Sequence, residues 1–196
     1  MASIDASTSG AGGIITTADN TGTLNLQSGG TTIATINSTG LSMASGKVLA
    51  PTGPAFSAYR ASDQTITAAT FTKVQLNTET FDTANAFDNS TNYRFTPQVA
   101  GYYQINGTLT AGASSNLGRA ILTFFKNGSI YSRGIDFPFS ASSSYVYASY
   151  SDLIYFNGST DYVELYVYLN GTGTLTVVAP SAGEYTRMSG FLARAA

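Results

Sequence analysis

Three observations predict an all-β chain, a two-layered sandwich preceded by an extended N-terminal β-arm. Only 10% of the 196 residues are charged, well below the usual quarter or so, and Thr, Ser, Gly, Ala, Asn and Tyr fill the gap. Apolar residues alternate with polar ones in short runs, the period of a strand, and no long helical pattern occurs. Asn127-Gly128, Asn157-Gly158 and Asn170-Gly171 sit between or beside such runs. Asn-Gly supplies the two positive φ angles of a tight hairpin.

The runs predict strands over 55–60, 72–76, 92–96, 101–111, 120–126, 144–156, 161–169, 174–178 and 188–193. Their number and spacing suit a sandwich or double-sheet jelly roll. Residues 1–53 are different. They hold no aromatic residue and only Asp5, Asp19 and Lys47 as charges. Short alternating pieces at 23–27, 32–36 and 41–43 are separated by Gly29-Gly30 and by Asn37-Ser38-Thr39-Gly40, which read as turns. Such a segment cannot bury enough apolar surface alone to offset its ordering entropy. Either copies of itself or another protein must complete it. Ile14, Ile15, Leu24, Leu26, Ile33, Ile36, Leu41 and Met43 are its candidate anchoring residues. Pro51-Thr52-Gly53-Pro54 reads as a stiff connector to the head, residues 54–196.

Composition excludes much chemistry. With no Cys there is no disulfide framework or thiolate site, and with no His the commonest base and metal ligand are missing. Nine scattered Lys and Arg against eleven Asp and Glu build no nucleic-acid surface. No secretory signal begins the chain, and no apolar run is long enough to span a membrane. Beginning at Met1, it is expected to be a whole gene product, soluble when made, without cofactor or metal.

On the 161–169 strand Val163, Leu165, Val167 and Leu169 alternate with Tyr162, Glu164, Tyr166 and Tyr168. The aliphatic set is expected to fill the interior. The tyrosines are expected at an interface between subunits; the alternative is a cross-strand ladder on an exposed sheet. Tyr145, Tyr147 and Tyr150, in a Ser/Tyr-rich stretch, are candidates for surface recognition. The scattered cations are expected either to be solvated or to pair across subunits with acids such as Asp136 and Glu164, each exposed pair contributing about 0–1 kcal/mol.

The stretch from Phe87-Asp88 through Arg94-Phe95-Thr96-Pro97 to Gly101-Tyr102-Tyr103-Gln104-Ile105 has the form F-D, an aromatic, F-x-P, then G-x-Y. It resembles the signature of the globular head of complement component 1, subcomponent q. Ala55–Tyr59, Lys73-Val74-Gln75-Leu76-Asn77, Phe81-Asp82, Phe125-Lys126-Asn127-Gly128 and Ser189-Gly190-Phe191-Leu192 extend the resemblance over roughly 54–192. It implies a tumour-necrosis-factor-like jelly roll assembling as a homotrimer, with Tyr103 and Phe191 as core or near-axis residues. The collagen stalk is missing, and no carboxylate ring matches the calcium site of some relatives. Residues 22–43 resemble N-terminal segments of bacteriophage fibre and decoration proteins. Together these imply a non-enzymatic virion protein, made in the host cytoplasm and placed on the particle exterior. Its trimeric knob cements the capsid through residues 1–53, docked on the major capsid protein or another virion protein. The alternative is the receptor-binding tip of a tail or head fibre, recognising a host surface glycan. An enzyme would need paired carboxylates or a metal, and the acids here are separated in sequence.

Overall fold

The computed structural model describes residues 22–45, 53–179 and 186–196, of which 139–144 as backbone only. Two compact units divide the chain at Thr52/Gly53. Ile14 and Ile15, and Pro51-Thr52 of the expected connector, lie outside the described residues.

The first unit is an antiparallel three-stranded sheet in the order β1 (Leu24–Ser28), β2 (Thr31–Asn37), β3 (Gly40–Met43). The strands fall on the three alternating pieces of the sequence. Gly29 and Gly30, both at positive φ, make the first turn. Asn37 makes the second, its Oδ1 accepting from the Thr39 N–H at 2.9 Å.

The second unit contains, among the described residues, β4 (Ala55–Tyr59), β5 (Gln64–Ile66), β6 (Thr70–Lys73), β7 (Thr78–Asp82), β8 (Phe87–Asp88), β9 (Arg94–Phe95), β10 (Gly101–Lys126), β11 (Ser129–Phe156), β12 (Val163–Thr172), β13 (Leu175–Val177) and β14 (Arg187–Ala195). The runs expected at 101–111 and 120–126 are the two ends of one strand, β10, irregular between Gly112 and Arg119. The N-terminal half of β10 pairs with β14 on one side and the C-terminal half of β11 on the other, and β14 leads through β4 to β7. Its C-terminal half pairs with β12 and the first half of β11, and β12 leads to β6. These are the two layers of a jelly-roll-like sandwich. They meet where Tyr150 of the first layer packs on Phe124 of the second, centroids 5.3 Å apart.

Alternation is kept in both layers. Tyr103, Ile105 and Leu109 of β10, and Val163, Leu165, Val167 and Leu169 of β12, point inward and are buried. The aromatic signature residues close the core. Phe95 and Phe87 both stack on Phe56, at 4.1 and 5.3 Å, and Tyr103 meets Phe95 and Phe156 edge-on. The buried phenol of Tyr103 donates to the Val99 carbonyl at 2.9 Å. At Gly101 the chains run so close that a Cβ would lie 2.4 Å from the Arg194 carbonyl oxygen, which leaves no room for a side chain.

Of the three Asn-Gly pairs, only Asn127-Gly128 forms the tight hairpin, at φ 53° and 77°. Asn157 opens a longer crossover from β11 to β12, its Oδ1 accepting from the N–H groups of Ser159, Thr160 and Asp161. Asn170-Gly171 is not a turn. It lies within β12, opposite Arg119 and Leu117. The strand expected at 72–76 is found at Thr70–Lys73, with Val74 N–H still donating to Leu165 O at 2.8 Å; beyond it the Gln64 side chain donates to Lys73 O at 2.7 Å and accepts from Gln75 N–H at 2.9 Å.

Candidate self-association surface

The outer face of the first layer carries a group of exposed apolar side chains. Once Tyr103, Ile154 and Phe156 turn inward, alternation forces Tyr102, Leu153 and Tyr155 outward. Tyr102 and Tyr155 are cross-strand partners, and one step along Gln104 lies between Leu153 and Phe191. Phe81 of β7 flanks β4 on the edge. These five residues are each between 40% and 51% exposed. Rings and a leucine grouped on a sheet, with few charges among them, form a surface suited to protein contact and offer no nucleophile or acid–base pair.

Towards the other end of this face Tyr145 and Tyr147 are 57% and 68% exposed. A groove of about 400 Å³ beside Tyr147 is lined by Thr108, Thr110, Ser149 and Arg187. Tyr150 is not part of this surface. It has the opposite parity, packs against Phe124, and donates to Asp152 Oδ2 at 3.3 Å.

On the outer face of the second layer the rings of β12 are packed by side chains of the same chain, while Ile130 and Tyr131 of β11 stay 42% and 47% exposed. Tyr166 stacks on Phe125 at 3.8 Å, Phe71 leans on Tyr168 and Phe125, and Arg94, Arg119 and Arg133 lie over Tyr162, Tyr168 and Phe71. Tyr162, Tyr166 and Tyr168 are therefore half-buried within one chain, the arrangement of a cross-strand ladder. Between Tyr162 and Tyr166 on the same strand, Glu164 is buried and paired with Lys73 at 2.5 Å. Arg119 holds Asp136 with two hydrogen bonds, 2.9 and 2.6 Å, which keep that carboxyl below its usual range despite an opposing effect of desolvation. Both pairs form inside the chain, not across subunits. Burial, with the nearby Glu164 and Tyr162, pushes the Tyr166 phenol up.

The expected interface set therefore divides. Tyr103 is fully buried, since its inward parity and its bond to Val99 tie it to the core, and it cannot line a surface between chains. Phe191 is exposed beside Gln104, while Tyr162, Tyr166 and Tyr168 lie half-buried on the outer face of the second layer. Sequence reading missed Tyr102, Leu153 and Phe81 on this face of the first layer. The signal for Tyr102 was present, since the residue before an inward Tyr103 must point outward. In the arm, Leu24, Leu26, Ile36, Leu41 and Met43 share one face with Ala34, while Ile33 has the opposite parity.

Among the described residues no group of three or more His, Cys, Asp or Glu is placed to hold a metal, and no helix is long and apolar enough to cross a membrane. Asp88, the acid of the F-D motif, is engaged by its own turn. It accepts from the backbone N–H groups of Ser90, Thr91 and Asn92 and from Asn92 Nδ2. With the Thr91 bond contributing most, these hold its carboxyl well below the usual carboxylate range.

Buried signature aromatics and a sandwich of two layers define a jelly roll of the complement 1q type. Among solved structures, the globular domain of zebrafish complement 1qA is similar at a TM-score of 0.51 and 20% identity, over 74% of this chain and 99% of that one. The PRD1 vertex protein P5, a phage protein, is similar at a TM-score of 0.52 and 17% identity, over 72% and 97%. No protein-family model matches the chain, and no curated protein matches it by sequence.

Proposed function

We propose that the protein is a non-enzymatic phage virion structural protein, a homotrimeric jelly-roll knob that decorates and cements a capsid. Residues 1–53 fasten it to the major capsid protein or another virion protein on the particle exterior. The observation that carries this reading is the apolar outer face of the first layer, with Tyr102, Leu153, Tyr155 and Phe191 open to water in the single chain. Aromatic and aliphatic side chains grouped in this way are stabilised by burial against a partner. Three identical heads closing about an axis bury all three faces at once, and a trimer suits a three-fold site on a shell. The likeness to a vertex protein supports the placement, and the separate arm supplies an attachment.

Deletion of residues 1–50 is the test. The truncated chain is expected to remain a β-rich trimer and to be left out of particles. Normal incorporation overturns the anchoring role. Knobs found only on tails in images of particles overturn the cement role.

The exposure of Tyr145 and Tyr147, beside a groove of mixed polar and apolar lining, favours a second reading as the receptor-binding tip of a fibre that recognises a host surface glycan. Purified protein that binds neither host cells nor their surface glycans overturns it.

A further inference from the structure

The arm sheet arranges its apolar side chains in two straight rows. Leu24, Ile36 and Leu41 are cross-strand neighbours in one, and Leu26, Ala34 and Met43 in the next. All six point to the same face. The opposite face carries Asn25, Thr35 and Ser42 in register and satisfies itself: Thr35 Oγ1 donates to Asn25 Oδ1 at 3.0 Å, and Ser42 Oγ to Thr35 O at 3.4 Å. The polar face is thus suited to water, yet Leu24, Ile36 and Leu41 on the other are 41–57% exposed within the single chain. No charged residue occurs between Gly22 and Ser45.

We infer that the apolar face of the arm is closed by the same face of two further copies, so that residues 24–43 of three chains form a short shaft with an apolar interior. The inference rests on the trimeric reading of the head. In such a trimer each arm is tethered through residues 46–52, seven residues that reach at most about 25 Å. Three arms held on short tethers meet one another at an effective concentration of about millimolar, far above that of any free partner. The face has no charge with which to repel its own copy or to select an unlike surface. Identical rows brought together about a three-fold axis place like residues against like, and no row is left over. The polar ladder of Asn25, Thr35 and Ser42 then forms the outside of the shaft. Attachment to the particle falls to residues ahead of Gly22, where Ile14 and Ile15 lie.

The native chain has no Cys, so a single introduced thiol reports its own neighbours. Full-length Ile36→Cys and, as a second probe of the same row, Leu41→Cys are compared with Thr35→Cys from the polar face. Each is treated with a short bis-maleimide and run on a denaturing gel, and the mass of the untreated protein is measured by sedimentation. The expected result is a trimer in which Ile36→Cys and Leu41→Cys link chain to chain at least about tenfold faster than Thr35→Cys, with the difference abolished in concentrated urea. A trimer in which all three variants link slowly, or at the same rate, overturns the shared shaft while the trimeric head stands. A lone subunit by sedimentation overturns both. Linkage of Ile36→Cys to an unlike virion protein in assembled particles overturns the shaft and assigns the face to docking.

Discussion

Tyr102 lies against Tyr155 on the outer face of the first layer, ring centroids 5.3 Å apart, and both rings remain 40% or more open to water. Each immediately precedes a buried ring, Tyr103 or Phe156, so the residues that build the core also place an aromatic pair on the surface. A cross-strand tyrosine pair contributes a fraction of a kcal/mol on a solvated sheet. The same rings contribute far more when a partner chain covers them.

The first prediction concerns that surface. Leu153→Asp adds a charge beside Gln104 and leaves the core untouched. In a trimer closed by this face the charge is buried without a partner, which weakens association by about 3 kcal/mol, a factor of more than 100. Sedimentation is expected to shift from trimer towards single subunits at micromolar concentration, with an unchanged far-ultraviolet β spectrum. A trimer of undiminished stability places the interface elsewhere.

Phe95 stacks on Phe56 and meets Tyr103 and Phe156 at its edges. Phe95→Ala opens a cavity at the centre of the core and is expected to cost about 3–5 kcal/mol, read as a lower urea midpoint. Loss of less than 1 kcal/mol contradicts the placement of this signature residue at the core centre.

Lys73 is the ionic partner of Glu164, whose side chain is only 4% exposed. Lys73→Met leaves that carboxylate buried without its cation, removes the Nζ bond to Asn92 O, and is expected to cost about 3 kcal/mol. Replacing both, Lys73→Met with Glu164→Leu, is expected to recover most of the loss. If the double variant is no better than the single one, the penalty arises from lost packing of the lysine stem and not from an unpaired charge.

Acid sensitivity follows from Asp88 and Asp161. Asp88 is lowered by the bonds of its own turn, and Asp161 by Asn127 Nδ2 first and then by Lys126 and Asn157 against an opposing effect of desolvation. A carboxyl lowered in the folded state contributes stability that is fully present above its ordinary value of 3.8 and is lost as pH falls below it. Urea midpoints are expected to be nearly level from pH 7 to about 5 and to fall below about 4. Asp88→Ala is expected to cost about 2 kcal/mol at neutral pH, and its acid limb to be shallower. An acid limb as steep as that of the native chain assigns the effect to other carboxylates.

The arm strands and the inward set of β12 were legible because alternation and turn residues act over a few neighbours. The Asn127-Gly128 hairpin was legible for the same reason, since both residues accept the positive φ that the turn requires. Asn170-Gly171 carries the same local signal and is pulled into a strand by its pairing with β10. The first half of β11, with Gly134 and Pro138, has a weak strand signal, and it forms because β10 supplies a partner along its length.

What the sequence determined alone was the all-β class, the inward faces and the lack of thiol and imidazole side chains. All of these depend on composition or on spacing along one strand. Tertiary structure decided which outward face stays open. Tyr162, Tyr166 and Tyr168 alternate outward as regularly as Tyr102 and Tyr155 do. The arrival of Phe71, Phe125, Arg94, Arg119 and Arg133 from other strands covers the first set, while among the described residues the second set has only Lys126, 5.9 Å from the Tyr155 ring. Exposure depends on which distant segments fold over a strand, and a single strand's pattern holds no information about them.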